Sequence, residues 1–278
     1  MVMCVSPAQY YALAMQAVAG GYAALPGELL AAERHALQAD KAASHELNRY
    51  LCRALRDRFS LADAPWRLPA AFHGLYRRQL ERIDDNLGTG TETYFSLGND
   101  PFRKDLAILL YRLVPCGAEF FTPFSGIPRS LAFRGDYRQA ARFMTAILRS
   151  GGIKPFLELH MHPDVKADFN PEGWLETYEN LADFLAVNPR FKGVQSTSWF
   201  LDPALERVSP HLDYLRRVPE QAGASLFYAG VDDPEHSGAF ATSRKRRALY
   251  ESGQYQPRLY TRIWPRRSLL RRAWRASP

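Results

Sequence analysis

Three ionisable side chains stand at alternate positions of one short segment, Phe156-Leu-Glu-Leu-His-Met-His162. In an extended chain, residues two apart share a face. Leu157, Leu159 and Met161 would then point into a core, with Glu158, His160 and His162 along the opposite face. Burying such a row unpaired would cost on the order of several kcal/mol. The row is therefore expected to line a wet cleft, bind a ligand or pair internally. A carboxylate beside an imidazole makes a base that works near neutral pH and can take a proton from an amine or hydroxyl. A His-x-His pair with a carboxylate is also a metal-ligand set, because both imidazoles can reach one ion from one strand. Asp164 and Asp168 follow closely and would add oxygen ligands. A third reading leaves this face solvated at a sheet edge. Beyond the row, only His211 and His236 stand near strand ends, so the acid–base reading is preferred and no metal is assigned.

Other polar residues fall near this row. Ser196, Thr197 and Ser198 sit at an expected strand and would bring hydroxyls near His160, while Trp199 and Asp202-Pro203 would shape the strand end. No G-x-S-x-G elbow is present, which argues against a serine hydrolase. The acidic stretch 231–238, with His236, lacks metal-loop spacing and reads as a surface loop.

The elements that must position these residues follow from periodicity. Residues 1–87 read as an N-terminal helical region: a helix after Ser6, one over 29–43, one over 46–59 with Ser44 as N-cap, and one over 70–84. The Gly- and Thr-rich stretch 87–100 marks a change of character, and a helix is expected over 102–113. Strands are then expected at 118–125, 153–162, 194–201 and 225–230. Between them come a helix over 137–149, stopped by Gly151-Gly152, and one over 171–187 capped by Asn170. A basic helix over 244–253, a strand over 257–264 and a short helix over 268–274 complete the chain. This alternation predicts an α/β fold, a mixed central sheet flanked by helices, over residues 88–278.

The 278 residues are 46% apolar and 23% charged, which suits a globular chain with a sizeable core. Cys4, Cys52 and Cys116 are odd in number and far apart, against a disulfide framework and for a reducing, cytoplasmic setting. The apolar stretch 10–25 has no positive residue before it and is interrupted by Gln16, so it reads as a buried helix rather than a secretion signal. Of the net charge of +7, residues 244–278 carry +10, from eleven Lys or Arg against Glu251, and the rest of the chain carries −3. Such asymmetry calls for an anionic partner. The run Leu269–Trp274 would suit an anionic membrane surface and a membrane-peripheral location; no DNA-reading motif is present, and no nucleic acid is expected.

Three segments in order carry a resemblance: FLELHMHP (156–163), NPEGWLETYENLADFLAVNP (170–189) and STSWFLDPAL (196–205). Together they resemble the C-terminal domain of the GNAT-like N-acyltransferases over roughly a quarter of the chain. The resemblance implies a mixed sheet that splays near its middle and holds an acyl donor in the splay. The donor would be acyl-CoA or an acyl carrier protein thioester, with no bound cofactor, and the acceptor an amine or hydroxyl. Glu158, His160 and His162 would be the acid–base centre, and Ser196, Ser198, Trp199, Arg134 and Arg138 the substrate contacts. The superfamily's phosphate loop would fall near Arg134–Ala140, where Gly, Arg and Gln occur without the motif spacing, and Asp136 reads as a helix N-cap. Two alternatives to the acyltransferase stay open: a metal-dependent enzyme using the His-x-His strand, and a non-catalytic module that binds anionic partners through its basic C-terminal segment.

Overall fold

The computed structural model describes residues 5–16, 21–235, 237–241 and 243–276, with side chains to Arg271. Cys4, His236 and the side chains of Arg272, Ala273 and Trp274 lie outside the described residues. The chain forms two compact units: residues 1–123 with 161–167, and residues 124–160 with 168–278. The expected boundary at 87–88 instead falls inside a helix.

The first unit is mainly helical, with α1 (Pro7–Ala14), α2 (Gly27–Ala39), α3 (Lys41–Arg58), α4 (Ala70–Thr89) and α5 (Asp100–Leu109). Ser44 does not cap a helix; Asp40 does, its side chain accepting from Ala42 N–H, and α3 runs uninterrupted through Ser44. Asp40 takes the role because its backbone is extended, as an N-cap requires, whereas Ser44 lies a full turn inside. Helix α1 stops at Ala14, well short of the apolar stretch's end. Strand β1 (Val114–Pro115) pairs antiparallel with β2 (Phe120–Ser125), whose last two residues belong to the second unit. Leu51, Leu55, Phe72, Ile83, Phe102 and Ile108 are buried in the first unit's core.

The second unit is an α/β layer structure. Strands β3 (Phe156–His160), β4 (Gly193–Ser198), β6 (Arg258–Pro265) and β5 (Ser225–Val231) lie side by side in that order. β3 and β4 are parallel, and β6 is antiparallel to both β4 and β5, so the sheet is mixed. Helix α6 (Tyr137–Ser150) covers one face, packing Phe143 and Ala146 on Phe156, Phe227 and Ile263. Helices α7 (Pro171–Val187) and α12 (Arg266–Ala276) cover the other, where Tyr178 meets the Trp264 ring at 5.0 Å. This is the strand alternation at work: Ile263 points to α6, its neighbours Arg262 and Trp264 to α7. Short helices α8 (Leu205–Val208), α9 (Tyr214–Gln221), α10 (Gly238–Ala241) and α11 (Arg244–Glu251) fill the β4–β5 and β5–β6 connections. Asp136 and Asn170 cap α6 and α7 through bonds of 2.9 Å to the third helical N–H. Among the described residues no helix is long and apolar enough to cross a membrane.

The outer edge of β5 is closed by side chains. The Gln139 carboxamide pairs with Tyr228 as a strand would, donating to its carbonyl and accepting from its N–H at 2.9 Å each. Arg142 donates to the Leu226 carbonyl and Arg134 to that of Ala229.

Candidate functional site

The parallel ladder between β3 and β4 is short. It pairs Leu157 with Val194 and Glu158 with Gln195, while β3 continues to His160 and β4 to Ser198. β4 stays paired with β6 along its whole length, from Gly193 to Ser198. The separation therefore lies on the β3 side, just past Glu158 and Gln195. Direct neighbours across a ladder share a face, so these two side chains stand together where the strands part.

Glu158 is half-buried and accepts a hydrogen bond from the Ser125 hydroxyl at 2.6 Å. Gln195, buried on β4, donates from Nε2 to Ser125 Oγ at 2.9 Å and to the Gly126 carbonyl at 3.1 Å. Its Oε1 is buried with no hydrogen-bond partner. The backbone just before Ser125 is strained: Phe124 has φ of 64°, in the left-handed region that a side chain disfavours by about 1–2 kcal/mol. Its ring is held between Phe191 at 5.1 Å and the Arg190 guanidinium at 4.6 Å. Strained backbone beside a polar cluster is a common property of working sites. The cluster can hold a carboxylate in one orientation and offers one unused acceptor.

His160 is half-buried at the end of β3, on the same face as Glu158 by alternation. His162 is not on the strand. β3 ends at His160, and His162 is fully buried in the first unit. Its Nδ1 accepts the Asp164 N–H at 3.2 Å, and its Nε2 lies 3.8 Å from Asp105. Asp105 on α5 has no exposed surface, and Arg82 grips both its oxygens while the Tyr94 hydroxyl donates to one of them. Arg82 also reaches Asp164 at 3.1 Å. Burial alone would raise the Asp105 carboxyl; the nearby His162 imidazole and the bonds from Arg82 and Tyr94 outweigh it and hold the pKa below the usual carboxylate range. Among the described residues no three His, Cys, Asp or Glu side chains are placed to hold a metal ion.

The expected substrate contacts are dispersed. Ser196 is buried on β4, on the face opposite Gln195. Ser198 is a cap: its Oγ accepts the Phe200 N–H at 3.1 Å and opens a short 3-10 helix, Trp199–Leu201. The strand expected to Leu201 thus ends at Ser198, because this cap turns the chain. Trp199 is buried against Leu205, Phe240 and Tyr255, with the Arg246 guanidinium 4.8 Å above its ring. Arg134 bonds the edge of β5, and Arg138 lies along the Tyr137 ring.

Ser125, which bonds Glu158, and Gln195, which bonds Ser125, were missed by sequence reasoning, as were Asp105, Arg82 and Tyr94. Gln195 stands in a strand already rich in polar residues, Ser196, Thr197 and Ser198, so nothing in the sequence set it apart. Nothing local marks Asp105, whose helix is buried over most of its length, Lys104 included.

No known family profile matches this chain, and no curated protein matches it. Among solved structures, one of an acyltransferase in complex with decanoyl-CoA aligns with 93% of this chain and 76% of its own, at 16% identity and a TM-score of 0.47.

Proposed function

We propose that the chain is an acyltransferase that moves an acyl group from a CoA or carrier-protein thioester to an amine or hydroxyl acceptor. The observation that carries the reading is the parting of β3 from β4 immediately beyond Glu158 and Gln195. A parallel pair that separates leaves backbone N–H and C=O groups of both strands without a ladder, and an extended, amide-bearing donor arm can take their place. This matches the splayed sheet implied by the resemblance to GNAT-like N-acyltransferases. The buried Gln195 Oε1 would accept from an N–H of that arm or of the acceptor.

In this reading Glu158 is the base. The acceptor nitrogen or oxygen attacks the thioester carbonyl carbon and gives its proton to Glu158. Collapse of the tetrahedral intermediate breaks the C–S bond, and the leaving thiolate takes a proton. Ser125, itself bonded by Gln195, holds the carboxylate in place, and His160 is the second proton carrier on the same face. Backbone N–H groups past the last shared pair would stabilise the developing oxyanion. In a βαβ unit the crossover helix starts at the carboxyl ends of the strands, so the N-terminus of α7 would favour the donor's phosphates. Positioning of the two reactants supplies much of the barrier reduction.

The test is thiol release from acyl-CoA and from an acyl carrier thioester in the presence of amines and alcohols. Acceptor-dependent release is expected, and Glu158→Gln should lower it by about 10²–10⁴ with the melting temperature retained. No release from either donor, together with no donor binding, would sink the proposal.

A further inference from the structure

Helix α6 buries one face and leaves an unusual one in solvent. Tyr137, Met144 and Leu148 are 78%, 54% and 76% exposed, and Phe133, in the turn before the helix, is 86% exposed. On the helix itself Tyr137, exposed Ala141, Met144 and Leu148 follow at steps of four, three and four residues, one continuous stripe. Beside it runs a second stripe, Arg138, Arg142 and Arg149, all exposed. Residues 128–152 contain five arginines and a single acid, Asp136, whose carboxylate is used as the N-cap.

A cleft of about 420 Å³ opens along the arginine stripe. It is lined by Arg142, Thr145 and Arg149 from α6 and by Glu220, Ser225 and Leu226 from α9 and β5. Glu220 is already engaged with Arg216 at 2.8 Å, and Arg142 keeps further donors beyond its bond to the Leu226 carbonyl, so it and Arg149 can both donate to a ligand in the cleft. Its size and charge suit one phosphate-bearing head group.

From this juxtaposition we infer that α6 is a docking face for an anionic phospholipid surface. The apolar side chains enter the acyl boundary, and Arg142 and Arg149 hold head-group phosphates. One feature favours a bilayer over an acidic protein: apolar and cationic stripes lying side by side on one helix are the pattern of interfacial helices. The inference is independent of the acyl-transfer reading and places the membrane contact on α6 rather than on the C-terminal basic run.

The full chain should be tested by co-sedimentation with vesicles of phosphatidylcholine alone and of phosphatidylcholine with phosphatidylglycerol. Binding to the anionic vesicles alone, weakened by salt, is expected. Met144→Glu with Leu148→Glu, and separately Arg142→Glu with Arg149→Glu, should each weaken it by about tenfold or more. Arg244→Glu with Lys245→Glu, on the exposed start of α11, should leave it within about twofold. Circular dichroism of each variant checks folding, and the two α6 pairs serve as independent probes. Absence of binding to anionic vesicles overturns the inference. So does binding that the α6 pairs leave intact, or α6-dependent capture of a soluble acidic protein without vesicle binding.

Discussion

Asp105 is a carboxylate without exposed surface that nevertheless stays ionised, because His162 lies close by and Arg82 and Tyr94 bond it. Its pKa is lowered on folding, so it stabilises the native state above the ordinary carboxylate pKa of about 3.9. That contribution disappears as pH falls through the lowered folded value. Asp105→Asn leaves the Arg82 charge without its closest partner and should cost about 3–5 kcal/mol at pH 7, read from the urea midpoint. The gap between wild type and variant should narrow as pH drops below about 4; an equal gap at pH 3 and pH 7 would refute this account. The sequence showed Glu158 and His160 on one face because alternation is a local property. It could not show that Ser125 bonds Glu158 and that Gln195 bonds Ser125, since those pairs come together only across 33 and 70 positions of chain. His162 was misplaced by the same rule: alternation says which face a residue would take, and nothing about where the strand stops.

The caps at Asp136 and Asn170 were legible because a cap is a short-range pattern, a polar residue bonding an N–H three positions on. Two glycines show what a single extra carbon does to an element. Gly151 ends α6 at φ of 72°, with its N–H and that of Gly152 bonding the last turn's carbonyls. Gly151→Ala should cost about 1 kcal/mol through that left-handed conformation. Gly193 opens β4, and a Cβ there would lie 2.2 Å from the Trp264 carbonyl oxygen on β6. The neighbour is backbone of a paired strand and cannot rotate away, so Gly193→Ala should cost more, about 3 kcal/mol. Thermal melts of the two variants check the order, and a smaller loss at Gly193 would show that β4 and β6 can slide. The first glycine was readable as a helix stop. The second was not, because its constraint comes from a strand 71 positions away.

At the scale of the whole molecule, the basic C-terminal segment is not a uniform charged surface. Arg246 is buried, with Nε donating to the Ala239 carbonyl at 2.6 Å and a terminal nitrogen to Ser209 Oγ at 3.1 Å. Arg262 is buried with bonds to Tyr178 and the Leu215 carbonyl, and Arg266 donates to the Leu185 carbonyl. Composition counts such residues as surface charge; packing uses them as ties between elements. Arg246→Ala should therefore destabilise by about 2–3 kcal/mol, while Arg244→Ala and Lys245→Ala stay within about 0.5 kcal/mol. Equal melting temperatures for all three would show that the segment is only a charged coat. The mixed sheet itself was readable from strand and helix order, whereas the division of the chain into units that exchange residues 161–167 was not, because it depends on which core each loop joins. The carboxamide and guanidinium groups along the margin of β5 carry a last consequence. A bare outermost strand is a template on which other chains can grow fibrils. Here Gln139 occupies the very groups such growth would need, so crowding should not recruit further copies from that margin.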